Sequence, residues 1–208
     1  MDLIVTRYIN VPSDCEMVGV GYGGKKSVLA RATLVAGNGD IIVDEFCNSK
    51  EKVTDYRTVV SGVRPKDMAK AQDFETLREK VVAAMKGILS FSITLFVPYY
   101  LGKILVGHGL SNDLKSLKTS HPANDIRDTT NFFRTTTGGK PALSKLAEER
   151  LGIKIQTGEH SPVTDARAAL RLYLQVRRQW EAKFKKRKPK MRGKKSEEKP
   201  SDDTATEE

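Results

Sequence analysis

The sequence predicts a sheet with helices on its faces, of the α/β or α+β class. Two observations carry this. Residues 18–46 break into short apolar strands separated by glycine-rich turns, and from there to residue 182 the pattern alternates helix, strand, helix and helix. No internal repeat interrupts it.

Taken in order, the first stretch holds Leu3-Ile4-Val5, then Tyr8-Ile9-Asn10-Val11 and Pro12-Ser13. Pro12 removes a ladder donor, so a strand containing it is expected at a sheet edge or a bulge. Next comes Asp14-Cys15-Glu16-Met17, whose two acidic side chains point to one side of an extended segment. Gly19, Gly21, Gly23 and Gly24 punctuate a turn rather than a phosphate loop, since nothing after them reads as a helix start. Gly37-Asn38-Gly39-Asp40 is a hairpin signal between strands at 28–35 and 41–46, completing an antiparallel meander. Pro65 then precedes an amphipathic helix predicted over 66–86, with Phe74, Leu77, Val81 and Met85 on its apolar face. Residues 87–102 carry no charge, but the run is shorter than the roughly 20 residues a membrane span needs and contains Pro98. A buried insertion is expected there, with no membrane partner. Ile104 to His108 reads as a short strand, turning at Gly109 into a helix with Asp113 near its start. Pro141 opens a further helix that Gly152 ends, and the last helix runs from Ser161 or Pro162 past Trp180, with Val163, Ala166, Leu170, Tyr173 and Leu174 as its buried stripe.

At 208 residues the chain holds one substantial domain and a tail. Its formal net charge of +10 favours an anionic partner. Residues 183–195 hold nine Lys or Arg, and 196–208 hold six acids and one lysine, which leaves 26 basic and 20 acidic residues in 1–182. The tail has too few apolar residues to offset its ordering entropy and is expected to be disordered. Cys15 and Cys47 lack metal-ligand spacing, so free thiols in a reducing compartment are expected.

Asp14, Glu16, Asp113 and Asp165 form a candidate set of carboxylates, with His160 at the mouth of the helix that carries Asp165. Four carboxylates sharing one cleft repel each other unless cations occupy it. Oxygen ligands favour Mg²⁺ or Mn²⁺, and an imidazole suits proton transfer near neutral pH. Taken singly, each aspartate is as well explained as a helix cap or solvated charge, and His108 and His121 as structural or surface residues.

Four stretches resemble the RNA exonuclease 4 family of DEDDh exonucleases. They are Asp14-Cys15-Glu16-Met17-Val18-Gly19-Val20-Gly21, the segment from Val53 to Gly62, Ile104-Leu105-Val106-Gly107-His108 through Asp113-Leu114, and Gly158-Glu159-His160-Ser161-Pro162-Val163-Thr164-Asp165. The resemblance implies a ribonuclease H-like fold with a mixed five-stranded sheet, in a domain spanning 14–182. It implies 3′→5′ hydrolysis of RNA to nucleoside 5′-monophosphates with two Mg²⁺ or Mn²⁺. Asp14, Glu16, Asp113 and Asp165 would be the metal ligands and His160 the general base, while Met17 and Arg57 would contact the terminal nucleotide. Arg57 has a structural salt bridge as its alternative role. Relatives act on ribosomal RNA precursors in the nucleus or nucleolus, and the Lys/Arg run after Lys183 suits import and phosphate contact. The sequence departs from the family at 1–13 and at 88–102, which are expected to be a mis-set first exon and a retained in-frame intron. Two other readings accompany this one: a catalytically impaired RNA-binding protein of the same fold, and a related exonuclease preferring DNA.

Overall fold

The computed structural model describes residues 11–86 and 104–187. The atypical run at 88–102 and the residues from 188 onward therefore lie outside the described residues, as do 1–10.

Strand β1 (Val11–Val20) sits inside the sheet. Strands β2 (Lys26–Val35) and β3 (Ile41–Phe46) follow it as an antiparallel meander, the Gly39 turn standing at φ 93°. On the other side of β1 come two parallel strands, β5 (Leu105–Gly107) and β6 (Ile126–Asp128), giving the order β3-β2-β1-β5-β6. The mixed five-strand path is as expected. A sixth, three-residue strand, β4 (Val53–Asp55), pairs with the far end of β1.

Pro12 stands in a central strand, contrary to the edge or bulge position expected for it. It is tolerated because the β1–β5 ladder consists of two pairs, Val11 with Leu105 and Pro12 with Val106, after which β1 is held by β2. A bulge does occur between Glu16 and Met17, where Ala30 is the extra residue on β2. The Ala30 carbonyl is not orphaned, since the Cys47 N–H donates to it at 2.8 Å.

The helix predicted over 66–86 is broken. A 3₁₀ stretch, Pro65–Lys70, ends at an extended Ala71, and helix α2 (Phe74–Lys86) starts afresh. Asp73 causes the restart, its carboxylate accepting from the backbone N–H groups of Glu75 and Thr76, both at 3.0 Å. Leu77, Val81, Ala84 and Met85 of α2 then pack with Cys15, Leu29, Ala32, Leu34 and Val43 of the meander. Each Leu, Val or Met among them contributes about 1.5–3 kcal/mol by leaving water.

Helix α1 (Thr58–Ser61) is a single turn, and α3 (Leu110–Ser116) follows β5. Helix α4 (Thr129–Phe132) follows β6, and α5 (Leu143–Leu151) stops at Gly152, whose φ of 66° favours glycine. Helix α6 spans Pro162–Arg187. Within the compact unit ending at Arg177, its Ala168, Ala169 and Leu172 pack with Leu143, Leu146 and Ala147 of α5. Leu174 is exposed, contrary to the predicted stripe, because it lies about 100° round the helix from Tyr173, which is buried. The unit that begins at Arg178 opens with the last turns of α6. Those turns run to Arg187, five residues into the stretch expected to be disordered. Extending a formed helix costs little, and basic residues favour its C-terminal end.

Asp128 joins this framework to the site. Buried at the end of β6, its carboxylate accepts from the N–H groups of Gly109 at 2.9 Å, Leu110 at 3.1 Å and Thr130 at 2.9 Å. It thus fixes where α3 begins and so where Asp113 stands. Asp128→Ala is expected to cost on the order of 2 kcal/mol and lower the melting temperature by about 4–8 °C. Thermal denaturation checks this, and an unchanged transition would rule the cap out.

Candidate active site

The five expected catalytic residues are delivered by four local devices. Alternation along β1 sends Asp14 and Glu16 to one side. Asp113 lies in the first turn of α3, started by Gly109 at φ 82°. Asp165 lies in the first turn of α6, its N–H donating to the Ser161 carbonyl at 2.9 Å. His160 precedes that helix on a loop tied down twice, by its own N–H on the Val60 carbonyl at 3.2 Å and by the Arg64–Glu159 ion pair.

Asp14, Glu16, His160 and Asp165 line one cleft of about 340 Å³, together with His108 and Gln156. Asp113 is buried and is not part of this lining, but its charge acts on Asp14 and Glu16. Burial pushes the Asp14 carboxyl well above the usual carboxylate range, and repulsion from Asp113, Glu16 and Asp165 pushes it further. Burial and the Asp165 charge raise Glu16 to about 8, against the pull of Arg31. Burial and the Asp128 charge raise Asp113 to about 7, although the Cys15 N–H donates to it. Asp165 is raised by burial, and the Gln156 amide and the two histidines hold it back.

This mutual repulsion indicates what chemistry suits the cleft. An all-carboxylate donor set with mutual repulsion fits a hard divalent cation. Among the described residues, no group of three or more His, Cys, Asp or Glu is closed into a metal-holding cluster.

Two contributors escape the sequence reading. His108, expected to be structural or surface, lines the cleft. Its Nδ1 lies 2.9 Å from Thr129 Oγ1, and that hydroxyl donates to the Gly107 carbonyl at 2.8 Å. Gln156 stands at φ 58°, and its amide donates to Asp165 Oδ2 at 2.8 Å. The signal available for Gln156 is this left-handed backbone, which no sequence pattern displays.

Met17 and Arg57 face a second groove, which shares Cys15 and Glu16 with the cleft. The Arg57 guanidinium is already engaged, donating to Gly24 O at 2.7 Å and Ser27 Oγ at 2.8 Å. It clamps the glycine turn to β2. Both cysteines are free and buried.

The family model described as Exonuclease (RNase T) matches residues 11–173, a span that contains every residue of this cleft. The chain belongs to the RNase T exonuclease family. This exonuclease domain is 43% identical over 172 residues to RNA exonuclease 4 of Mus musculus, covering 81% of this chain and 36% of that one. It is 40% identical to RNA exonuclease 4 of Homo sapiens over 179 residues (85% and 39%), and 46% identical to that of Mycosarcoma maydis over 173 (81% and 42%). The chain thus spans about two fifths of the length of these relatives. Among solved structures, the exonuclease domain is similar to the Saccharomyces cerevisiae Pan2 pseudoubiquitin hydrolase–RNA exonuclease module in complex with AAUUAA RNA. That match has a TM-score of 0.69 at 29% identity and covers 86% of this chain and 30% of that one. The expected relationship to the RNA exonuclease 4 proteins and the ribonuclease H-like fold are both borne out.

Proposed function

We propose that this chain is a metal-dependent 3′→5′ exoribonuclease that releases nucleoside 5′-monophosphates, acting on ribosomal RNA precursors in the nucleus or nucleolus. The observation that carries this reading is the convergence of Asp14, Glu16, Asp165 and His160 on one cleft, with the charge of the buried Asp113 acting on Asp14. The names of the relatives and the RNA bound to the similar Pan2 module support an RNA substrate. The Lys/Arg run over 183–195 supports nuclear import and phosphate contact.

Asp14, Glu16, Asp113 and Asp165 would hold two Mg²⁺ or Mn²⁺. When bound, such a pair supplies Lewis acidity toward the scissile phosphodiester and the attacking water. His160 takes the proton of that water. Its Nδ1 lies 3.9 Å from Asp165 Oδ2, close enough for that carboxylate to steady the imidazolium as it forms. Gln156 fixes Asp165 from the other side. The anchored loop keeps the ring over the cleft.

The test is incubation of the purified protein with a 5′-labelled single-stranded RNA and Mg²⁺, beside Asp14→Ala and an EDTA control. Stepwise shortening with release of 5′-monophosphates is expected from the unaltered protein alone. Equal inertness of both proteins would sink the reading, and faster loss of a matched DNA strand would redirect it to DNA.

A further inference from the structure

We propose that the groove beside the carboxylate cleft is the track for the 5′-ward part of a single-stranded polynucleotide, with Lys50, Lys115 and Lys118 as its phosphate contacts. This rests on the exonuclease reading for the occupant of the cleft, but the track is a binding surface with its own signature.

The groove, about 830 Å³, begins at Cys15 and Glu16, where the cleft ends, so a strand whose terminus sits in the cleft continues into it. Lys115 lies in the last turn of α3, Lys118 follows the Leu117 cap that ends it, and Lys50 lies on the loop after β3, all three lining the groove. All three are exposed. The acidic residues of the outer lining are neutralised locally, Glu51 by Lys26 and Glu75 by Arg78 at 3.6 Å. The three lysines have no carboxylate partner among the described residues, so the surface presents net positive charge to a polyanion.

Lys118 is the most telling of them. Its φ of 48° is left-handed, the conformation that ends helices and favours glycine, at a cost of about 1 kcal/mol for a residue with a Cβ. The Arg78 guanidinium locks this turn, donating to the carbonyls of Leu117 at 3.1 Å and Lys118 at 3.4 Å. The ammonium is thereby held 5.1 Å from the centroid of Phe74, an aromatic ring that itself lines the groove. An ammonium fixed in place on the wall of the groove is a ready contact for a backbone phosphate of a single strand.

Lys118→Gly tests this, because the substitution relieves strain and should leave folding intact. Binding of a fluorescent single-stranded RNA dodecamer is measured against salt by anisotropy, in the Asp14→Ala background so that the strand is not consumed. Lys118→Gly and Lys115→Ala are each expected to flatten the log–log salt dependence by about 0.7, one phosphate contact apiece, with an unchanged or higher melting temperature for Lys118→Gly. Dinucleotide binding should not change. An unaltered salt slope in a folded Lys118→Gly protein overturns the track, as does an equal loss of dinucleotide binding. Should the parent protein with Asp14 intact hydrolyse nothing while the slope still falls, the track stands and the exonuclease reading fails.

Discussion

Asp14→Asn is expected to abolish nucleotide release, by about 10³-fold or more, and at the same time to raise the melting temperature of the metal-free protein. Both effects have one cause. Asp14 is held in a partly buried site under the repulsion of Asp113, Glu16 and Asp165, so its ionised form destabilises the fold until a cation occupies the cleft. The sign follows from linkage. Glu16, raised from 4.5 to about 8, contributes stability that is fully present below about pH 4.5 and is lost as the pH climbs through about 8. Asp113, raised to about 7, acts in the same direction over an overlapping window. In EDTA the melting temperature should therefore fall between pH 5 and pH 8, by about 2–4 °C for each kcal/mol lost. Asp14→Asn should flatten that fall, and added Mg²⁺ should restore stability most strongly at pH 8 in the parent protein and least in the variant. A melting temperature in EDTA that is level across pH 5–8 would refute this electrostatic account of the cleft.

The parts of the fold that were legible are those whose physics is local. The hairpin between β2 and β3 was written in Gly37-Asn38-Gly39-Asp40, and the end of α5 in Gly152. Asp14 and Glu16 were readable as a pair because period-two alternation is a property of the strand alone. What was missed depends on distant partners. Strand β6 is three residues long, with Arg127 buried in it, its guanidinium donating to the carbonyls of Asn124 and Ile126. No alternation can announce such a strand, and without it the capping of α3 by Asp128 stayed invisible. The break before α2 was similarly hidden, since apolar spacing ran on while Asp73 supplied a new cap. His108 was discounted because its place on the cleft wall follows from Thr129, a residue of the unseen β6–α4 corner.

The imidazole of His160 depends on a backbone contact, which yields the second large expected effect. His160→Ala should lower kcat by about 10²–10⁴ with KM little changed, and added imidazole should restore part of the loss. Gly62→Ala should reproduce a share of this, up to about 10²-fold, without altering the histidine. Gly62 stands at φ 65°, and a Cβ there would meet the His160 carbonyl at 3.0 Å, so the loop must shift to accept it. Its anchor, the His160 N–H on the Val60 carbonyl, lies two residues before Gly62 and moves with it. Arg64→Ala provides the contrast. Its ion pair with Glu159 is more than two-fifths exposed on both sides, with side-chain exposures of 42% and 44%, and should be worth under about 1 kcal/mol. If kcat follows Gly62 and ignores Arg64, the general base is held by the main chain of α1. A Gly62→Ala protein with a lowered melting temperature and an unchanged kcat would instead leave the loop a merely structural contact.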